Sequence, residues 1–167
     1  MQEIEVKILE INKDKLIEKL VNLGAEKVFD SEIYAEFYHS LNGEKIRLRK
    51  TNIGNFMTLK VKKNLDGVKS NREYETNFGD YETFVNILLI SGFQKFGISK
   101  KYRVSYKLGN IIFDFDSIEN IPDFVEVESD NIKDVEKGVE LLGYSMKDTS
   151  TFGEKELKAH YNIEWGI

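Results

Sequence analysis

The chain has 167 residues, 41% of them hydrophobic and 32% charged, with a formal net charge of -5 and no cysteine. That length can bury one core without disulfides or a structural metal, so a single domain over 1–167 is expected, with no thiolate chemistry. The net negative charge excludes a general polyanion binder, whose basic face would release counterions from nucleic acid. Any phosphate site must therefore be local, and no nucleic-acid partner is expected.

In chain order, residues 2–9 alternate apolar and charged side chains with period two, as a strand with two unlike faces does. The opening MQEIEVKILE lacks the apolar stretch of a secretory signal, and no apolar run nears the roughly 20 residues that cross a bilayer, which predicts a cytoplasmic protein without a membrane partner. Asn12 to Leu23 carries Leu16, Ile17, Leu20 and Val21 at helical spacing, with Gly24 as its stop. Strands follow at 33–40, 44–50 and 56–63, divided by Asn42-Gly43 and by Asn52 to Asn55, then a polar loop over 64–71 with Asp66-Gly67 inside it. After a strand at 72–78, Asp80 caps a helix over Tyr81 to Ser91 that Gly92 ends. Strands at 100–107, 110–117 and 124–129, the first pair divided by Gly109-Asn110, lead to a helix over Ile132 to Leu142 that ends at Gly143. Tight turns between successive strands mean antiparallel pairing. Eight strands with short helical interruptions predict an α+β fold: a closed or nearly closed antiparallel β-barrel with helices outside, since closure removes exposed edges.

The polar face of these strands is unusual. Glu3, Glu5 and Lys7 alternate with Ile4, Val6 and Ile8; Arg47 and Arg49 flank Leu48, and Lys60 and Lys62 flank Val61. Glu73 and Glu75 flank Tyr74, Lys101 and Arg103 flank Tyr102, Asp114 and Asp116 flank Phe115, and Glu126 and Glu128 flank Val127. A solvated sheet face also alternates, but it mixes Thr, Ser, Gln and Asn among its charges. Here seven basic and eight acidic residues occupy seven strands, mostly one sign to a strand. Enclosed in a barrel, such a set cannot stay unpaired. The cations suit a polyphosphate, with Arg forks on its oxygens and Lys as point charge. The surplus carboxylates suit a hard cation such as Mg²⁺ or Mn²⁺.

The opening EIEVK resembles the E-x-E-x-K signature of the CYTH superfamily, which includes class IV adenylate cyclases, thiamine triphosphatases and inorganic tripolyphosphatases. It is followed in that family's order by RLR at 47–49, KVK at 60–62, REYE at 72–75, KYR at 101–103, DFD at 114–116 and EVE at 126–128. The resemblance implies an eight-stranded triphosphate tunnel, often dimeric, with Mg²⁺ or Mn²⁺ as cofactor and a triphosphate as substrate. It further implies that Lys7, Arg47, Arg49, Lys60, Lys62, Lys101 and Arg103 grip phosphate oxygens, with Lys7, Arg49, Lys60 and Arg103 as the catalytic cations. Glu3, Glu5, Asp114, Glu126 and Glu128 would hold metal, and Glu73 and Glu75 would form the central carboxylate pair on the substrate side. Arg72 is expected to face outward, and Asp116 to serve equally well as a surface or turn-capping residue. YAEFY at 34–38 departs from the Q-x-D-x-Y of many relatives, so no substrate contact is carried onto that strand.

His39 and His160 lack metal-ligand spacing and read as structural or exposed, and Trp165 reads as packing against the body of the protein. No glycine-rich phosphate loop, Ser/His/Asp set or zinc spacing is present, so the chemistry rests on the charged strands. Two reactions fit. A ribose 3′-hydroxyl attacking the α-phosphorus of ATP gives cyclic AMP and pyrophosphate, whereas water attacking the terminal phosphorus makes the protein an inorganic or thiamine triphosphate phosphohydrolase. NREYET, the Gly92-Phe93 corner, KKYRVSY and FDFDSIENIPDFVEVES resemble the class IV adenylate cyclase branch more than the tripolyphosphatases. A non-catalytic polyphosphate or nucleotide sensor is the reading from another class.

Overall fold

The computed structural model describes the backbone of residues 2–65 and 68–166, and the side chains of these except at 2, 3, 60, 62–65 and 68–72. The described strands are β1 (Gln2–Ile8), β2 (Glu26–His39), β3 (Lys45–Thr51), β4 (Gly54–Leu65), β5 (Val68–Phe78), β6 (Gln94–Leu108), β7 (Ile111–Ile118) and β8 (Ile121–Ser129). All pairs are antiparallel, in the order β1, β5, β4, β3, β2, β6, β7, β8, and the order returns on itself because β8 also pairs with β1. Side chains therefore divide between an inner lumen face and an outer face.

Helices α1 (Lys13–Asn22), α2 (Tyr81–Ile90) and α3 (Ile132–Leu142) cover the outer face. Each starts on a side-chain cap: the amide of Lys15 donates to Asn12, that of Thr83 to Asp80 and that of Asp134 to Asn131. Leu16 and Leu20 of α1 join Val135, Val139 and Leu142 of α3 over Ile4, Val6, Phe113, Phe115 and Val127 in the main core. A second cluster sets Leu88, Phe84 and Val85 of α2 against Tyr38, Ile46 and Leu48. Gly138 lets α3 approach the sheet, since a Cβ there would stand 2.6 Å from Val127 Cγ1. No helix among the described residues is long and apolar enough to cross a membrane.

Several elements differ from the expectation. The second and sixth strands are far longer than 33–40 and 100–107, and pair with one another from Glu26 opposite Lys107 to His39 opposite Gln94. The predicted polar loop over 64–71 is mostly strand, with Leu65 opposite Val68; its Asp66-Gly67 step lies outside the described residues. Val61, expected beneath a helix, is 43% exposed, because α2 covers the other end of β4 at Met57 and Leu59. A fourth helix, α4 (Glu154–His160), was not foreseen. It is a short helix of about two turns, with Leu157 and Lys158 as its buried residues.

Candidate active site

Residues directly opposite in an antiparallel pair share a face. On β1, Glu5 stands opposite Glu128 and Lys7 opposite Glu126; Glu126 in turn faces Asp114 of β7, and Asp116 faces Arg103 of β6. The sheet thus brings these side chains to one region of the lumen. Arg103 Nε and Nη2 donate to Asp116 at 2.6 Å each, Nη2 also reaches Glu126 Oε2 at 2.5 Å, and Nη1 bonds Asp114. Lys101 Nζ donates to the same Asp116 at 2.7 Å. Lys7 Nζ lies 2.9 Å from Glu126 Oε1 and 3.5 Å from Glu5 Oε1. Asp116 is wholly buried, so the surface or capping role weighed for it is excluded.

The electrostatics of this region are lopsided: Glu5, Asp114, Asp116, Glu126 and Glu128 face Lys7, Lys101 and Arg103. Burial works against every charge here. For Arg103 it is outweighed by Asp114, Asp116 and Glu126, and for Lys7 by Glu126 and Glu5, so both cations bind their protons more tightly than usual. Glu126 is held well below the usual carboxylate range despite burial, by Lys7, Arg103 and Lys101. Burial pushes the Asp114 carboxyl up, and Arg103 only partly offsets it. Glu128 carries the surplus: burial, then Asp114, Glu5 and Glu126 beside it, push its carboxyl up to about 7. Among the described residues no three carboxylates form a ready-made metal cluster, since the buried ones are turned onto Arg103 and Lys7.

Across the lumen stands a second, more open region. Arg47 and Arg49 of β3 face Thr58 and Phe56 of β4, and Thr58 faces Glu75 of β5. Arg49 donates to Glu75, Thr58 Oγ1 donates to Glu75 at 2.7 Å, and Arg47 Nη2 lies 3.5 Å from Thr58 Oγ1 and 3.9 Å from Glu73. Arg47 Nε and Arg49 Nε are both buried donors with no acceptor. Burial, then repulsion from Arg47, pulls the Arg49 guanidinium down to about 10 even though Glu75 opposes this. Two crowded guanidiniums with spare buried N–H groups make a site short of an anion. In register, Lys60 stands opposite Glu73, and Lys62 and Glu3 each opposite Asn71; the side chains of Lys60, Lys62, Glu3 and Arg72 lie outside the described residues.

Of the residues singled out in the sequence, Glu5, Lys7, Lys101, Arg103, Asp114, Glu126 and Glu128 thus gather at the acidic region, and Arg47, Arg49, Glu73 and Glu75 at the basic one. Thr58 and Asp116 were not assigned a role in either set. For both, the available signal was position: Thr58 keeps period two with Lys60 and Lys62, as Asp116 does with Asp114. Glu36 in YAEFY lies on the other face, opposite Leu48 and under α2. It accepts from Tyr34 at 2.7 Å and Tyr38 at 2.6 Å, with Lys95 at 3.5 Å. Burial would raise this carboxyl, but those hydrogen bonds and Lys95 hold it below its usual range. His39 packs at a tilt against Phe96, and His160 lies at a tilt against Phe152 and edge-on to Tyr161.

Residues 1–152 match the CYTH domain. The chain belongs to the CYTH domain family. A Methanocaldococcus jannaschii protein with the provisional name adenylate cyclase is 29% identical over 156 residues, 88% of this chain and 87% of that protein. Among solved structures, the PH1012 protein of Pyrococcus horikoshii superposes with a TM-score of 0.79 at 26% identity, covering 93% of this chain and 98% of that one. A Hippeastrum protein, provisionally named an adenylyl cyclase and described as having a dominant triphosphatase activity, shares the fold at a TM-score of 0.63. It is 14% identical, and the match covers 98% of this chain and 96% of that one.

Proposed function

We propose that this CYTH protein is a metal-dependent enzyme that acts on a triphosphate bound in the lumen between the two charged regions. The observation that carries this reading is the pair of buried, acceptor-less Nε groups on Arg47 and Arg49 facing a wall with more carboxylates than cations. Arg47, Arg49, Lys60 and Lys62 are the phosphate grip, joined by Lys7, Lys101 and Arg103 at the border with the acids. Glu5, Glu126, Glu128 and Asp114, with Glu3, are the ligands for Mg²⁺ or Mn²⁺. The donor set fits such an ion: all are carboxylates, and the raised proton affinity of Glu128 reports negative charge that a divalent cation would neutralise. When bound, the metal would screen phosphate charge and acidify an attacking hydroxyl or water.

The chain's own residues would bind and orient the triphosphate and stabilise charge on the leaving oxygens, which phosphoryl and nucleotidyl transfer chiefly require. In the adenylate cyclase-type reading, which the relatives' names favour, the 3′-oxygen of ATP bonds to the α-phosphorus, the bond to the β-phosphate oxygen breaks, and pyrophosphate leaves as the hydroxyl proton is released. In the hydrolytic reading, water takes the terminal phosphoryl group and orthophosphate is released. Incubation with ATP, tripolyphosphate and thiamine triphosphate under Mg²⁺ or Mn²⁺, resolving cyclic AMP, pyrophosphate and orthophosphate, tests the proposal. Metal-dependent turnover of any of the three is expected, and turnover of none would reduce the protein to a binder.

A further inference from the structure

The segment that follows α3 does not stay outside the barrel. The amide of Lys7 donates to Ser150 O and that of Ser150 to Lys7 O, both at 2.8 Å, which ties the segment to the edge of β1. Leu157 of α4 is fully buried in one cluster with Ile118, Ile121 and Phe124, and Phe124 shares the lumen face with Asp116 opposite it. Farther on, the amide of Ile98 donates to Gly166 O at 2.9 Å, and Trp165 Nε1 donates to Phe96 O at 2.8 Å. The indole thereby comes to rest on Gly97. A Cβ on Gly97 would stand 2.2 Å from Trp165 Nε1, so no other residue could accept the ring there without displacing it. Gly97 is opposite Phe37 and Phe37 opposite Arg47, so the face that meets Trp165 is the face that carries the arginine wall. The Phe37 ring centroid is 5.2 Å from that of Trp165, and Lys158 Nζ lies 5.0 Å over the indole. Phe37 and Lys158 thus both lie against the indole, which occupies this part of the lumen face.

We propose that Trp165 is a specificity filter: its indole closes the lumen beside Arg47 against the organic group of a substituted triphosphate, so a bare triphosphate is the preferred substrate. This rests on the triphosphate reading given above and adds to it the class of substrate. A triphosphate gripped by Arg47 and Arg49 meets the ring as soon as it extends past Phe37. A terminal oxygen tolerates that neighbour, whereas a ribose and base displace it and forfeit the anchoring bonds to Phe96 and Ile98.

Steady-state assays of the full chain with tripolyphosphate and with ATP, under Mg²⁺, test the filter in wild type, Trp165→Ala and Gly97→Ala. The second variant dislodges the indole from the sheet side while leaving the tryptophan in the chain, so agreement between the two does not depend on one substitution folding well. Wild type is expected to favour tripolyphosphate in kcat/KM, and both variants to raise the ATP to tripolyphosphate ratio about tenfold, the size of effect that one hydrophobic pocket contact supplies. Trp165 is the only tryptophan, so its emission reports the same event. ATP should expose it to acrylamide quenching in wild type, and tripolyphosphate should not. A ratio unchanged in both variants, or ATP used as well as tripolyphosphate with the indole still shielded, would overturn the filter and leave the triphosphate reading standing. Wild type that neither binds nor turns over either compound would overturn both.

Discussion

The lumen holds two charged regions built from the same residue types but in opposite states of satisfaction. Around Arg103, three carboxylates converge on one guanidinium, every donor has a partner, and the residues are almost wholly buried. Around Arg47 and Arg49, the carboxylate partners among the described residues are Glu73 and Glu75, the surroundings are more open, and two buried Nε groups have no acceptor. Buried polar groups are costly unless paired, so the first region is internally paired yet keeps surplus negative charge, and the second leaves buried donors without an acceptor. Local imbalance, not the overall charge of -5, is what points to ligands of opposite sign at the two places.

The largest expected difference between them is in stability. Arg103→Ala leaves Asp114, Asp116 and Glu126 facing one another without their main counter-ion, which should cost about 3–5 kcal/mol, the scale for breaking a buried ion-pair network. Thermal unfolding should show the loss, and Mn²⁺ should recover part of it. Arg49→Ala, in the open region, should leave the melting temperature nearly unchanged but lower kcat/KM by roughly 2–4 kcal/mol, with a share of the loss in kcat. Arg49→Lys should restore it only in part, because a point charge lacks the bidentate fork.

The smallest effect has the opposite sign. The Glu128 carboxyl is raised in the folded state to about 7, against 4.5 for its ordinary value. Between those values the folded protein binds the extra proton, so this group makes stability fall as pH rises from about 4.5 to about 7, with the full cost present above that window. With a chelator present, Glu128→Gln should therefore stabilise the protein by about 1–2 kcal/mol at pH 8 and hardly at all at pH 4. A gain that is the same at both pH values would mean that carboxylate crowding is not its cause.

Much of this arrangement is legible in the sequence, because period two assigns each charged pair to a single face whatever the strand's exact ends. Ends and exceptions are less legible. The pairing of β2 with β6 extends through Lys27, Phe29 and Phe96, where bulges break the alternation that would reveal it. YAEFY offers an acid and aromatics on alternating positions without saying which face is which; Glu36 turns outward because Tyr34 and Tyr38 on its own face satisfy it. Asp116 looks like the end of a strand in the sequence, and only the two cations that reach it from β6 make it central. Trp165 announces packing, but its partner is a glycine with no side chain to predict it.

The division of labour between the two regions is tested most directly by calorimetric titration of Mn²⁺ alone and of tripolyphosphate alone into wild type, Glu128→Gln and Arg49→Ala. A crossed result is expected: Glu128→Gln loses Mn²⁺ affinity and keeps tripolyphosphate, while Arg49→Ala loses tripolyphosphate and keeps Mn²⁺. Equal losses of both ligands in both variants, or no loss in either, would contradict it.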